Sequence, residues 1–303
     1  MTSPIEPTGV QYTITCGNAS ATIAEVAAAL RGYTVGGVEL VQSYPDGMLT
    51  PFASGIILMP WPNRVADGVW TLDGAVQQLD LTEPARHNAI HGLLRFAGYR
   101  LIERTESSVT LAATVFPQHG YPFHLETSVR YELVEGGLSV THDVHNHSAV
   151  KAPVASGAHP FLTIGDVPAE ELVLTVHAST YFDVDDRLLP HGELPVDGTK
   201  YDLRQGVPLG GLELDTAFGS VVTVDGVAAS LRAPDGREVQ LVQDEDHPYV
   251  QVFTTTEYPT LSGPGLAAAI EPMTAAPDAL NSGLGMAWVE PGSTWNAGWG
   301  IRP

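Results

Sequence analysis

Apolar and polar residues alternate along most of this chain, and the three-to-four-residue period of a helix is rare. Thr110–Phe116 reads TLAATVF, Val129–Val134 reads VRYELV and Gly137–Val144 reads GLSVTHDV. Leu172–Val176, Val221–Val224, Val239–Val242 and Tyr249–Thr254 continue the pattern. A period of two sends successive side chains to opposite faces of a half-buried strand, so each run predicts a strand. Gly, Pro and Asp separate the runs, and Asp73-Gly74, Asp225-Gly226 and Asp235-Gly236 fit tight hairpin turns. Ile23–Leu30 is alanine-rich but has no clean apolar face, and it fits a helix or a strand.

The 31 Gly and 23 Pro are spread through the chain, and no linker, repeat or low-complexity stretch interrupts it. So many strands need two packed sheets or a barrel to hide their apolar faces. The expectation is an all-β fold, a large β-sandwich with residues 1–303 forming one domain. The net charge of −21, from 14 Lys+Arg against 35 Asp+Glu, gives no basic footprint for nucleic acid or an anionic membrane. Cys16 is the only cysteine, which excludes an intrachain disulfide and a zinc site built on cysteines. The opening residues lack the basic and apolar regions of a secretory signal, and no apolar run reaches the roughly 20 residues of a membrane helix. A cytoplasmic protein with a small neutral ligand is expected.

Four polar clusters stand out against this background. In Met59-Pro60-Trp61-Pro62-Asn63-Arg64, Trp61 offers a flat apolar face while Asn63 and Arg64 offer donors, a combination suited to a sugar. Alone, the segment reads more readily as a rigid turn with a surface ion pair. Ala89-Ile90-His91-Gly92-Leu93 places a histidine where a ligand can approach closely, or where a structural histidine sits. In Ser156-Gly157-Ala158-His159-Pro160-Phe161 the proline pushes His159 toward extended backbone, and histidine exchanges protons near neutrality. His247 also precedes a proline, but it lies in the charged run Asp244-Glu245-Asp246, which reads as a solvated loop. In the fourth cluster Glu271 ends the apolar run Ala267-Ala268-Ala269-Ile270, where a carboxylate is costly without a partner or a task. Pro277-Asp278-Ala279-Leu280-Asn281 follows it.

Two other clusters are weaker. Asp143, His145 and His147 would share one face of a strand, as metal ligands do, but so do the polar residues of any solvent-facing strand. Asp183, Asp185 and Asp186 lack the sixth-position Gly and distal Glu of a calcium loop.

Taken in order, the four clusters resemble the aldose 1-epimerase (galactose mutarotase) family. Asn63-Arg64, Ile90-His91-Gly92, His159-Pro160-Phe161 and Glu271-Pro272 through Pro277-Asp278-Ala279 to Asn281 match its successive elements. Leu214-Asp215-Thr216-Ala217-Phe218 is similar to its substrate-binding Asp motif, and Pro-Trp-Pro-Asn-Arg to the form in a bacterial branch. The segments Leu188–Glu193 and Asp197–Arg204 look like its connecting region. The resemblance implies a galactose-mutarotase-type β-sandwich with a hexopyranose cleft on one sheet. Phe161 and Pro272-Met273 depart from the usual pattern at positions that bear on sugar preference.

Interconverting sugar anomers needs a base at the anomeric hydroxyl and an acid at the ring oxygen, with no metal or cofactor. The resemblance implies Glu271 as base and His159 as acid, the latter held protonated by Asp215 or by Glu271 itself. Arg64, His91, Asp215, Asn63 and Trp61 would bind the sugar. Arg64, Arg86 and Arg95 keep open an epimerase for an anionic sugar, a hexose 6-phosphate or a sulfonated hexose. A non-catalytic carbohydrate-binding domain is a further alternative. The expected partner is a small-molecule sugar, without nucleic acid or membrane, and a homodimer stays open.

Overall fold

The alternating runs fold into two large antiparallel sheets in the computed structural model, which describes residues 6–303. One sheet of nine strands runs in the order Arg100–Arg104, Ser108–Val115, Leu125–Val134, Gly137–Asn146, Thr294–Arg302, Glu238–Gln243, Val227–Arg232, Val173–Val176 and Val207–Pro208. Within Leu125–Val134 every second residue is buried, and Leu125 and Val134 face Asn146 and Gly137 of the next strand. That one-sided burial is what the period-two pattern demands.

The other sheet has twelve strands and carries the residues that matter below. Its central path runs Val38–Val41, Phe161–Leu162, Gly263–Met273, Tyr249–Thr260, Asp215–Val221 and Ala178–Val184, with short Ile57–Leu58 and Gly157–Ala158 attached. One face meets the nine-stranded sheet: Ile23, Tyr33, Val250, Val252 and Ile270 join Val129, Tyr131, Val140 and Val144 in a single apolar cluster. Because side chains alternate, the neighbours of those residues must point the other way. In the register Gln251 pairs with Glu271 and Phe253 with Ala269, so these side chains rise together from the outer face. Asp215 pairs with Phe253 on the next strand and joins them.

Turn chemistry closes the hairpins as the sequence predicts. Asp73 and Gly74 have φ of 47° and 80° and join Val69–Leu72 to Ala75–Gln78 by a two-residue loop. Two runs differ from expectation. Ile23–Leu30 is neither one helix nor one strand: Ala19–Ala24 ends, Ala27 and Ala28 reverse the chain with positive φ, and Leu30–Val35 pairs back. Val221–Val224 is not a strand beyond Val221, because Ser220 has a φ of 48° and Val222 and Val224 turn into solvent. No helix among the described residues is long and apolar enough to cross a membrane.

Candidate active site

On the outer face of the twelve-stranded sheet lies an open cleft of about 460 Å³. Asn63, Arg64, His91, His159, Asp215 and Glu271 all line it, although more than 200 positions separate the first from the last. Two short structures deliver the early residues. Arg64–Ala66 pairs with Asn88–Ile90, Arg64 opposite Ile90, and the His91 amide donates to the Asn63 carbonyl at 2.9 Å. His91 and Gly92 then turn with φ of 63° and 71°. A Cβ on Gly92 would overlap the Met59 carbonyl, so only glycine lets the His91 segment close against the Met59-Pro60 backbone.

Behind this ribbon, the motif Pro277–Asn281 acts as a brace. The Asp278 amide donates to the Arg64 carbonyl at 2.8 Å, and its carboxylate accepts from the Ala66 amide at 3.0 Å. Asn281 donates to the Val69 carbonyl. These contacts fix the strand on which Arg64 sits, and neither residue lines the cleft.

Asp215, Gln251, Asn63, Arg64 and Glu83 form one chain of contacts across the cleft wall. Gln251 donates to Asp215 at 2.6 Å and accepts from Asn63 at 3.2 Å. Arg64 lies 3.3 Å from Asp215 and holds Glu83 through two nitrogens, at 2.9 and 3.1 Å. Burial opposes the Arg64 charge, but Asp215 and Glu83 outweigh it and raise its pKa. Glu83 is pulled below the usual carboxylate value despite its own burial, because Arg64, Asn88 and Arg86 all favour its charged form.

At the base of the cleft His159 Nε2 stands 3.3 Å from Glu271 Oε1, and both side chains are nearly sealed from solvent, at 6% and 2% exposure. Glu271 Oε2 and the Nδ1 atoms of His159 and His91 have no protein partner among the described residues. The His91 ring meets the His159 ring edge-on at 5.5 Å between centres. Burial raises the Glu271 pKa well above its ordinary value, Asp215 adds to the rise, and Arg64 opposes it. Burial lowers His159 to about 4, with the charges of Arg95 and Arg64 contributing. His91 also falls, first through burial and then through His159 and the two arginines. These directions run against the expectation that a carboxylate holds His159 protonated. In so dry a place burial favours the neutral forms of both partners.

Trp61 does not join the cleft. It is 2% exposed, packs 6.0 Å from the Tyr121 ring within the inter-sheet core, and faces a different depression lined by Leu79, Ala89 and Gln118. The aromatic surface in the cleft comes instead from Phe52 and Phe253, whose rings lie 6.1 Å apart, and from Phe96 at the rim. Gln251, Glu83 and these phenylalanines carry no motif and were invisible in the sequence. The alternation of the Tyr249–Thr254 run was the one signal, since it sets Gln251 and Phe253 on one face.

Four histidines singled out in the sequence lie outside the cleft. His247 is buried away from the cleft against Asp244 at 2.9 Å. His142 points inward, at hydrogen-bond distance from Ser156 and accepting from Trp299 Nε1. His145 and His147 lie on the outer face beside Thr294 and Glu126, and no described group of three or more His, Cys, Asp or Glu is placed to hold a metal ion.

Residues 10–302 match the family model of aldose 1-epimerase. An uncharacterised protein of Escherichia coli K12, YihR, is 32% identical over 285 residues, covering 94% of this chain and 90% of that one. Human galactose mutarotase is 31% identical over 163 residues, which span 52% of this chain and 46% of the human one. Among solved structures, a galactose mutarotase-like protein of Clostridium acetobutylicum superposes with a TM-score of 0.83 at 17% identity, over 96% of this chain and 94% of that one. Galactose 1-epimerase of Lactobacillus acidophilus gives 0.77 at 18% identity, over 96% and 93%. At such identities the structures speak for the fold, while the family model and YihR span nearly the whole sequence. The chain belongs to the aldose 1-epimerase family.

Proposed function

We propose that this protein is a mutarotase, interconverting the α and β anomers of a free hexopyranose with Glu271 and His159 as its proton-transfer pair. The observation that carries the reading is the buried contact of 3.3 Å between them at the base of an open cleft. A binding module needs no such pair, because ionisable groups kept from water without a counter-charge destabilise the fold that holds them. The family membership agrees with it.

The pair holds one proton in total over the pH range between its two titrations. Burial favours that proton on Glu271, while incoming sugar hydroxyls that bond the carboxylate favour its transfer to His159. In the transferred form Glu271 takes the proton of the anomeric hydroxyl. The C1–O5 bond breaks, C1 becomes an aldehyde, and O5 takes the proton from His159. The pair is then again a carboxylic acid beside a neutral imidazole, the form favoured by burial. Rotation about C1–C2 presents the other aldehyde face, and the reverse transfers close the ring. Protons and electrons balance without an added reactant, and general acid–base terms of about 10²–10⁴-fold each are the scale of help to expect.

Arg64, Asn63, His91 and Asp215 bind and orient the sugar in this reading, Gln251 positions Asp215, and Phe52 with Phe253 offers the apolar face. Polarimetry on freshly dissolved α-anomers, over a panel of neutral and acidic aldoses, tests it. Glu271→Gln should lower the rate on the best substrate by about 10²–10⁴-fold while the dissociation constant of the sugar changes only a few-fold. Wild-type turnover in that variant would overturn the assignment.

A further inference from the structure

Ser156 stands three residues before His159 and Thr274 three after Glu271, beside the Gly157–Met273 pair that joins their strands. The Thr274 amide donates to the Ser156 carbonyl at 2.9 Å, and the Ser156 amide donates to the Thr274 hydroxyl at 2.9 Å. On the other side of His159 and Glu271, the Ile270 amide donates to the Pro160 carbonyl at 3.1 Å. Proline has no amide to return a bond, so that tie is single. The 3.3 Å contact of His159 with Glu271 is therefore bracketed by one doubled tie and one single tie.

The doubled tie is itself held from the opposite sheet. His142, on Gly137–Asn146 of the nine-stranded sheet, places Nδ1 2.8 Å from the Ser156 hydroxyl. Its Nε2 lies 3.0 Å from Trp299 Nε1 on the neighbouring strand. An indole nitrogen only donates, so His142 Nε2 must be bare and Nδ1 must carry the ring proton. His142 thus donates to Ser156 as one fixed, neutral tautomer. Burial lowers its pKa to about 3, with His247 adding to the fall and Asp244 opposing it, so that tautomer persists at neutral pH. His142 and Ser156 are fully buried, Thr274 is nearly so, and none of the three lines the cleft. A polar chain in so dry a place is costly unless each link is made, and once made it holds one arrangement.

We propose that His142 is a positioning residue for proton transfer: it fixes the Ser156 hydroxyl, and with it the doubled tie to Thr274 that sets His159 against Glu271. This rests on the mutarotase reading and adds to it a residue that never touches the sugar.

Ser156→Ala removes one oxygen and keeps both amide bonds to Thr274. Misplacing reacting groups by about 1 Å costs about 10²-fold in rate, and a smaller shift is expected here. On the best sugar, kcat of Ser156→Ala should fall by about 10-fold, with KM changed less than about two-fold. His142→Phe should lower kcat by a similar factor, and the double variant should lose no more, because both changes break the same bond. If His142→Phe fails to fold, Ser156→Ala decides alone. A lowered thermal midpoint with wild-type kcat would mean that the chain of bonds only stabilises the fold, and would overturn the inference. A loss carried by KM, or losses that multiply in the double variant, would overturn it too. Each of these leaves the mutarotase reading standing, whereas acceleration of no sugar by the wild type would overturn both.

Discussion

With one oxygen beside His159 and the other lacking a protein partner, Glu271 is more costly to ionise than a carboxylate in water. A folded-state pKa raised above the unfolded one contributes stability below the unfolded value and loses it as pH rises. At neutral pH, therefore, this residue works against the fold. Glu271→Gln keeps the shape and removes the ionisable group, so its thermal midpoint at pH 7 should equal or exceed that of the wild type while activity collapses; calorimetry beside polarimetry checks both. His159 has the opposite sign. Its folded pKa of about 4 lies below the ordinary histidine value of 6.5, so the stability it contributes is present above 6.5 and lost as pH falls toward 4. On the mutarotase reading the pair needs one proton. A second proton reaches His159 near pH 4, and the last one leaves Glu271 only above the ordinary carboxylate range. The pH profile of kcat/KM should be bell-shaped, with its acid limb near 4 and its alkaline limb shifted up, and an acid limb near 6.5 would contradict the assigned environment.

Among the elements, the short ribbon of Arg64–Ala66 and Asn88–Ile90 determines whether Arg64 and His91 face the cleft at all. Gly92→Ala would put a methyl into the Met59 carbonyl and strain a φ of 71°. It should destabilise the protein by about 2–4 kcal/mol in urea unfolding and raise KM more than it lowers kcat. The sequence made the strands of both sheets legible, because Leu125–Val134 or Glu238–Gln243 buries alternate residues and alternation survives in one dimension. It also made His159 and Glu271 legible, as a histidine fixed before a proline and a carboxylate misplaced on an apolar run. Gln251 and Phe253 were hidden because only strand register puts them beside Glu271 and Asp215. Trp61 misled for the same reason. Adjacency to Asn63-Arg64 suggested a shared surface, yet Asn63 has a φ of 56° and the chain turns there, leaving Trp61 in the core and Arg64 in the cleft.

Across the whole molecule, one face of the twelve-stranded sheet stabilises the fold and the other gathers the chemistry. Residues from Phe52 to Glu271 meet over that outer face, held by main-chain pairing between strands remote in sequence, so the cleft depends on the sheet being intact. The sheet therefore acts as a support: Glu271 and Asp215 sit on its strands, His159 between two short strands, and Arg64 and His91 on a ribbon and turn beside it. The most direct test of this account is magnetisation exchange between the anomeric protons of an equilibrated aldose, recorded with the protein, without it, and with Glu271→Gln. No net reaction is needed, and a panel of neutral and acidic aldoses removes dependence on guessing the substrate. The account predicts exchange well above the spontaneous rate for at least one sugar with the wild-type protein, falling by about 10²–10⁴-fold with Glu271→Gln. Wild-type exchange no faster than buffer for every sugar, or undiminished exchange in the variant, would contradict it.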